Sequence, residues 1–158
     1  MPPIGNQAVV ALVFIEEKFI LLKRRTRDDD PWSGDYCLPG GFVKIRETLL
    51  EATKREFTEE TGIDGEYLEF QFSLHPLNPF SRGELFVYPS VFKLNGNHML
   101  ILGDEMVWGD FVSMSDFKIS TDAIKGNQLI KGEITIWGLT QRIIRECFKA
   151  LDLDYPRS

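Results

Sequence analysis

The chain has 158 residues, 43% of them hydrophobic, and a formal net charge of -6. That length and apolar content suit one domain over residues 1–158 with a substantial core, and are too short for two ordinary domains. The acidic balance argues against broad non-specific binding to nucleic acid, and no run approaches the eighteen apolar residues of a membrane span.

Residues 7–14 and 19–24 are apolar, β-branched-rich runs separated by Glu16-Glu17-Lys18, the pattern of paired strands. Residues 26–36, rich in aspartate with a proline and a glycine, read as a loop. It leads to Leu38-Pro39-Gly40-Gly41, where two glycines after an X-Pro step allow a tight turn with exposed backbone. A helix over residues 48–61 is predicted by the capping box Thr48…Glu51 and by Gly62 as its stop signal. Residues 66–74 and 84–94 follow as strands, split by a loop with Pro76, Pro79 and Gly83. Asn95-Gly96-Asn97 is a turn, and residues 106–112 form a further strand. Residues 115–126 read as a short helix plus loop. Residues 134–137 lead into a terminal helix on which Leu139, Ile143 and Cys147 repeat every four residues, with Ile144, Phe148 and Leu151 adjoining. Strands before and after a central helix, plus a terminal helix, give a mixed sheet covered on both faces. No internal repeat or low-complexity linker interrupts it.

The remaining residue types narrow the chemistry. Cys37 and Cys147 are the only cysteines and suit neither a disulfide framework nor a zinc knuckle. His75 and His98 are too few for a three-histidine zinc site and read as surface or strand residues. The N-terminal MPPIGNQ lacks the basic flank and apolar core of a signal peptide, so a soluble cytoplasmic protein is expected.

On the 48–61 helix, Leu49, Ala52, Thr53 and Phe57 can turn toward a core, while Glu56, Glu59 and Glu60 stand at i, i+3 and i+4 on one face. Like charges at that spacing destabilise a helix by roughly a few tenths of a kcal/mol per pair in water, and by more in a partly dry cleft. A hard divalent cation would compensate, since magnesium is usually held by one or two carboxylates plus phosphates and waters. Such an acidic, arginine-containing helix is also what a solvated, salt-bridged face looks like. The glycine turn ahead of it, where a backbone carbonyl can approach an ion, favours a Mg2+ or Mn2+ site completed by a diphosphate. Arg55, one turn from Glu51 and Glu59, is placed to orient a carboxylate.

Residues 41–63 read as G, any five, E, any seven, R, E, apolar, any, E, E, any, G, apolar. The fixed positions are Gly41, Glu47, Arg55, Glu56, Phe57, Glu59, Glu60, Gly62 and Ile63. With this frame the chain resembles the Nudix hydrolases. The resemblance is most specific over 41–63 and weaker over about 7–148. It implies an α/β/α sandwich and hydrolysis, with Mg2+ or Mn2+, of a nucleoside diphosphate linked to another moiety. It also implies that Glu56, Glu59 and Glu60 are metal ligands, that Gly41 is a backbone ligand, and that Glu47 with Arg55 buttresses the helix. Asp30-Pro31-Trp32-Ser33-Gly34 and Ile136-Trp137-Gly138-Leu139-Thr140 resemble the coenzyme A diphosphatase branch. Against that branch's pattern, Lys23 stands in place of a threonine and Asp30 in place of an arginine.

Several residues outside this 41–63 frame, the Nudix box, are candidates. Lys23, Arg24, Arg25 and Arg27 form a basic strip that is either a charged strand edge or a contact for substrate phosphates near Gly40 and Gly41. Substrate contact is expected from Arg25, Arg27, Trp32 and Gly40. Activation of the attacking water is expected from Glu59 or Glu60, with Glu105, beside Asp104, as a base from a late loop or simply a surface acid. Trp32 and Trp108 either stack on an adenine or are structural. The expected partner is a small-molecule nucleotide such as coenzyme A or its derivatives. Alternatives are ADP-ribose, a dinucleotide or a nucleoside triphosphate. A Nudix-fold binding module without turnover is the reading from another class, and hydrolysis of an RNA cap or end is a third. No membrane partner is expected, nucleic acid is disfavoured, and a homodimer is allowed for.

Overall fold

The computed structural model describes residues 3–29 and 34–157. Trp32, and with it residues 30–33, lies outside the described residues. Among the described residues, ten strands and two α-helices follow in chain order. β1 (Gln7–Ile15) and β2 (Lys18–Arg24) form a hairpin, with Phe14 opposite Phe19. β3 (Tyr36–Cys37) pairs with β2, and β4 (Gly40–Phe42) pairs antiparallel with the first half of β1. α1 (Leu49–Thr61) is followed by β5 (Leu68–Ser73), β6 (Phe86–Leu94) and β7 (Met106–Ser113). β6 runs parallel to β1, so the seven-stranded sheet is mixed, in the order β3-β2-β1-β6-β5 with β7 added on β2.

β1 and β2 are apolar on both sides because both sides are covered. Ala11, Val13, Ile20 and Leu22 point to one face and meet Phe57 of α1, Ile63, Phe92 and Met106. Their neighbours Leu12, Phe14, Phe19 and Leu21 point to the other and meet Ile143, Ile144, Cys147 and Phe148. Those four belong to α2 (Gly138–Ala150), whose four-residue repeat is thus a core stripe. The rings of Phe14, Phe19 and Phe148 pack together at centroid separations of 5.7 to 6.3 Å. Helix, sheet and helix make the expected sandwich.

α1 starts and stops as the sequence predicts. The Thr48 side chain accepts from the Glu51 N–H and the Glu51 carboxylate accepts from the Thr48 N–H; Gly62 closes the helix in the left-handed region at φ 73°. Ala52, Thr53 and Phe57 are buried, but Leu49, expected to face the core, is 38% exposed. It sits in the first turn, ahead of the point where the helix reaches the sheet.

Two further expectations need correction. Gly40 and Gly41 lie in a strand, not only a turn, since Val10 and Val9 pair with them in register. Residues 115–126 do not form a helix plus loop. A single 3-10 turn (Met114–Asp116) leads into β8 (Lys118–Asp122), which pairs with β9 (Gly126–Lys131) and through it with β10 (Ile134–Ile136) in a second, antiparallel sheet. β8 is almost wholly exposed, so it carries no apolar alternation for a sequence reading to detect. Its hairpin is set by the turn: the Asp122 carboxylate accepts from the N–H groups of Ile124 and Lys125, and Gly126 takes φ 72°.

Phe57, fully buried against β1 and β2, ties α1 to the sheet. Phe57→Ala is expected to cost about 3–5 kcal/mol of stability, read as a lower urea midpoint with an unchanged slope.

Candidate active site

Arg55 organises the acidic end of the fold. Its Nε donates to Glu47 Oε2 at 2.6 Å and its Nη2 to Glu47 Oε1 at 3.0 Å, a two-pronged pair. Nη2 also donates to the Phe42 carbonyl at 3.0 Å, and Nη1 to Glu56 Oε1 at 2.9 Å. Glu59 lies further off, 3.5 Å from Nη1, on a half-exposed side chain. One guanidinium thus binds the loop at Glu47, the strand at Phe42 and the helix at Glu56. Its hydrogen bonds bring the Glu47 carboxyl down to about 2, and the same contacts raise Arg55 above its ordinary value.

Glu56 and Glu60 differ from Glu47 because burial dominates. Desolvation raises Glu56 despite the opposing bond from Arg55, and pushes Glu60 up to about 8. Glu60, 6% exposed, accepts a hydrogen bond from the Gly40 N–H at 2.8 Å. That contact ties the Gly40 N–H to the helix, and Gly40, expected at the substrate, borders the larger cleft described below. Gly40 is required by close approach, since a Cβ there would strike the Val9 carbonyl; a Cβ on Gly41 would meet the Glu56 carboxylate and push that side chain from its place.

The three box carboxylates share an end of α1 but do not converge as they stand. Among the described residues no three His, Cys, Asp or Glu side chains form a ready-made cage. Arg55 draws Glu56, Gly40 holds Glu60, and Glu59 turns outward, as mutual repulsion would dictate. The donor set nevertheless fits a hard divalent cation. Glu56, Glu59 and Glu60 line one hollow of about 280 Å³ with Asp104 and Glu105, all offering oxygen, and Gly41 leaves room for a carboxylate over its backbone.

Beside it opens a larger cleft of about 580 Å³, into which Glu56, Glu60, Glu105 and Arg24 project. Its other walls are mostly apolar, with Leu38, Phe42 and Leu85 inside and Phe80 and Trp137 at its margin. Arg142 covers the Phe80 ring at 4.3 Å and Lys125 the Trp137 ring at 5.0 Å. Phe80 is 90% exposed, on the proline-containing loop after β5.

Of the basic strip, Arg24 borders the cleft and pairs with Glu105 at 3.4 Å; Arg27 pairs with Glu105 at the same distance. Arg25 donates to the carbonyl of Asp104. Lys23 stands over the Tyr36 ring at 5.1 Å. Arg25 and Arg27, expected at the substrate, are engaged with residues 104 and 105. Trp108 does not line the cleft but packs edge-on, at 5.5 Å, against Tyr36, which does. Phe80 and Trp137 were not singled out as base-stacking candidates; an aromatic between Pro79 and Ser81 on a solvent-facing loop was the available signal. Cys37 borders the cleft, Cys147 is buried in the core, and His75 is exposed. His98 stacks on Tyr67 at 4.8 Å.

A family model described as NUDIX domain matches residues 5–130. Among curated proteins, the ADP-ribose pyrophosphatase of Methanocaldococcus jannaschii is 43% identical over 56 residues, 35% of this chain and 31% of that one. The m7GpppN-mRNA hydrolase NUDT17 of Xenopus laevis is 42% identical over 55 residues, 35% of this chain and 19% of that one. The matches therefore span about a third or less of these relatives' length. Among solved structures, an ADP-ribose pyrophosphatase from Streptococcus suis superposes with a TM-score of 0.64 at 20% identity, covering 97% of this chain and 96% of that one. A MutT protein from Methanosarcina mazei gives 0.55 at 30% identity, covering 69% and 77%.

Glu60 generates a pH prediction. Its carboxyl is raised in the fold, so it stays protonated where the unfolded chain already ionises; wild-type stability from this group falls as pH rises from about 4.5 to about 8. Glu60→Gln keeps an acceptor for the Gly40 N–H and has no charge to bury. In chelator-treated protein its stability relative to wild type should rise through that window, by at least about 1 kcal/mol at pH 8. Saturating Mg2+ should narrow the difference. Equal urea midpoints at pH 5 and pH 8 would contradict it.

Proposed function

The chain belongs to the Nudix family, and on that premise we propose that it hydrolyses the diphosphate of nucleoside diphosphate derivatives, ADP-ribose foremost, with Mg2+ or Mn2+. Residues 1–158 act in this reading as one catalytic domain. The observation that carries it is the shared cleft: Glu56, Glu60 and Glu105 project into the same space as the apolar walls. A diphosphate can lie against the acids through a cation while the organic part fills the rest. Two of the similar proteins bear the name ADP-ribose pyrophosphatase, and their names support taking that substrate class first.

Glu56, Glu59 and Glu60, with the Gly41 carbonyl, are the residues that would hold the cation. When bound it supplies charge neutralisation at the phosphoryl oxygens and a lowered pKa for coordinated water. Arg55 and Glu47 keep α1 and the glycine strand in fixed relation, so that the ligands are positioned before substrate arrives. Glu105 faces the same cleft from the loop before β7 and is the proposed proton acceptor for the attacking water, with Glu59 and Glu60 as the alternatives within the box. Arg24 is placed to meet a phosphoryl oxygen. Phe80 and Trp137 offer apolar faces to a base at the cleft margin.

A second reading, coenzyme A, is favoured by one observation. Trp137, Gly138, Leu139 and Thr140, part of the segment resembling the coenzyme A branch, border the cleft.

Product analysis by mass spectrometry with Mg2+ or Mn2+ separates these readings. ADP-ribose should yield AMP and ribose 5-phosphate faster than coenzyme A yields 3',5'-ADP. Glu59→Gln should lower turnover by about two orders of magnitude or more with an unchanged melting curve. Faster release of 3',5'-ADP would favour coenzyme A, release of a capped nucleotide from RNA would favour end hydrolysis, and silence with both metals would favour a binding module.

A further inference from the structure

The loop that carries Glu105 is fixed from two sides. On one side it is tied to the end of α1: Ile101 donates its N–H to the Thr61 carbonyl at 2.8 Å and Gly103 to the Glu60 carbonyl at 3.3 Å. Gly103 has to be a glycine there, because a Cβ would strike the Glu59 carbonyl. On the other side the loop meets the residues just past β2. Arg25 donates its backbone N–H to the Glu105 carbonyl at 2.7 Å and its Nε to the Asp104 carbonyl at 2.8 Å. One residue therefore holds two successive carbonyls.

A strand irregularity makes this arrangement possible. Neighbouring side chains of a regular strand point to opposite faces. The pairing of β2 with β7 shifts register between Lys23 and Arg24, which brings Arg24 opposite Met106. The extra residue, Val107, belongs to β7, and a bulge of this kind re-aims the side chains of its own strand beyond it. Past this point Arg24, Arg25 and Arg27 all engage residues 104 and 105. The two carboxylate pairs are long, 3.4 Å each, and the Glu105 side chain is 54% exposed. Such exposed pairs contribute little and do not define an orientation by themselves. The short bonds from Arg25 to the backbone do.

We propose that Arg25 is a positioning residue for hydrolysis: it fixes the Asp104–Glu105 backbone so that the Glu105 carboxylate faces Glu56 and Glu60 across the cleft, and it does not touch substrate. The proposal rests on the hydrolase reading above, with Glu105 as proton acceptor. Arg25 is absent from the cleft walls, and its Nε is committed to Asp104.

The test is a double-variant cycle on the full chain with ADP-ribose and saturating Mg2+. Arg25→Ala keeps the backbone bond and should lower kcat about tenfold with KM within about twofold, because a reacting group out of place costs rate more than binding. Glu105→Gln should lower kcat by about 10²-fold or more and flatten the acid limb of its pH profile. The combined variant should be no slower than Glu105→Gln alone, since Arg25 acts through Glu105. Hydrogen exchange should quicken at the amides of residues 103–106 in Arg25→Ala and stay unchanged along α1. A tenfold loss repeated in full on the Glu105→Gln background, a raised KM at unchanged kcat, or unchanged exchange at 103–106 would overturn the proposal. So would an active wild type unaffected by Glu105→Gln, which leaves the hydrolase reading standing. A wild type that turns over no diphosphate sinks that reading and this proposal together.

Discussion

The five hydrogen bonds and ion pairs of Arg55 are the constraint on which the acidic site depends. The guanidinium lies where a loop, a strand and a helix meet, with Glu47, Phe42 and Glu56 as its partners. Each contact alone is modest, since a hydrogen bond to a charged group contributes about 1.5–3 kcal/mol. Their joint effect is geometric: α1 cannot slide or rotate against β4 without breaking several at once. A lysine, with a point charge and no planar fork, could not satisfy three elements from one position. The close approach at Gly41 depends on the same constraint, because only a fixed helix can hold the Glu56 carboxylate against a backbone that lacks a Cβ.

The cleft follows from how β1 shares its edges. One edge is taken along nearly its whole length by β6. On the other edge the first half of β1 pairs with β4 and the far end with β2. Ala8, Val9 and Val10, from the half that pairs with β4, form part of the cleft wall. The box therefore lies at one side of an apolar space whose far side is built by the loop after β5 and the start of α2. In the proposed reading the diphosphate lies with the box, and the attached group meets elements distant in sequence.

That division also explains what could be read from sequence. The capping box, the glycine stop and the buried face of α1 rest on contacts within a few residues, and Thr48, Glu51, Gly62, Ala52 and Phe57 state them directly. β1 and β2 were legible because burial on both faces leaves an unbroken apolar run. Leu49 was misplaced because periodicity says which residues share a face and not where along the helix the sheet begins. β8 was missed because an exposed strand has no hydrophobic signature. The bond from Gly40 to Glu60 and the engagement of Arg25 with Asp104 join residues 20 and 79 positions apart, and no local pattern encodes them. The strip of cations was visible; its use in holding the acidic loop was not.

The charges of the site account for its cost to the fold. Glu56, Glu59, Glu60, Asp104 and Glu105 surround one hollow in a chain already at a net charge of -6. Arginines answer most of this: Arg55 pairs with Glu56 and reaches toward Glu59, and Arg24 and Arg27 pair with Glu105. Glu60 is the most deeply buried of the five and is compensated chiefly by one N–H, so it resists ionising. A carboxylate that is poorly satisfied alone and well satisfied by a cation couples metal binding to stability, because whatever binds the folded state stabilises it. An apolar residue at position 60 would make a more stable helix end and, in the proposed reading, a weaker ligand set. On that reading, keeping glutamate there is the stability–function trade expected of a site whose charge is completed by its ligands.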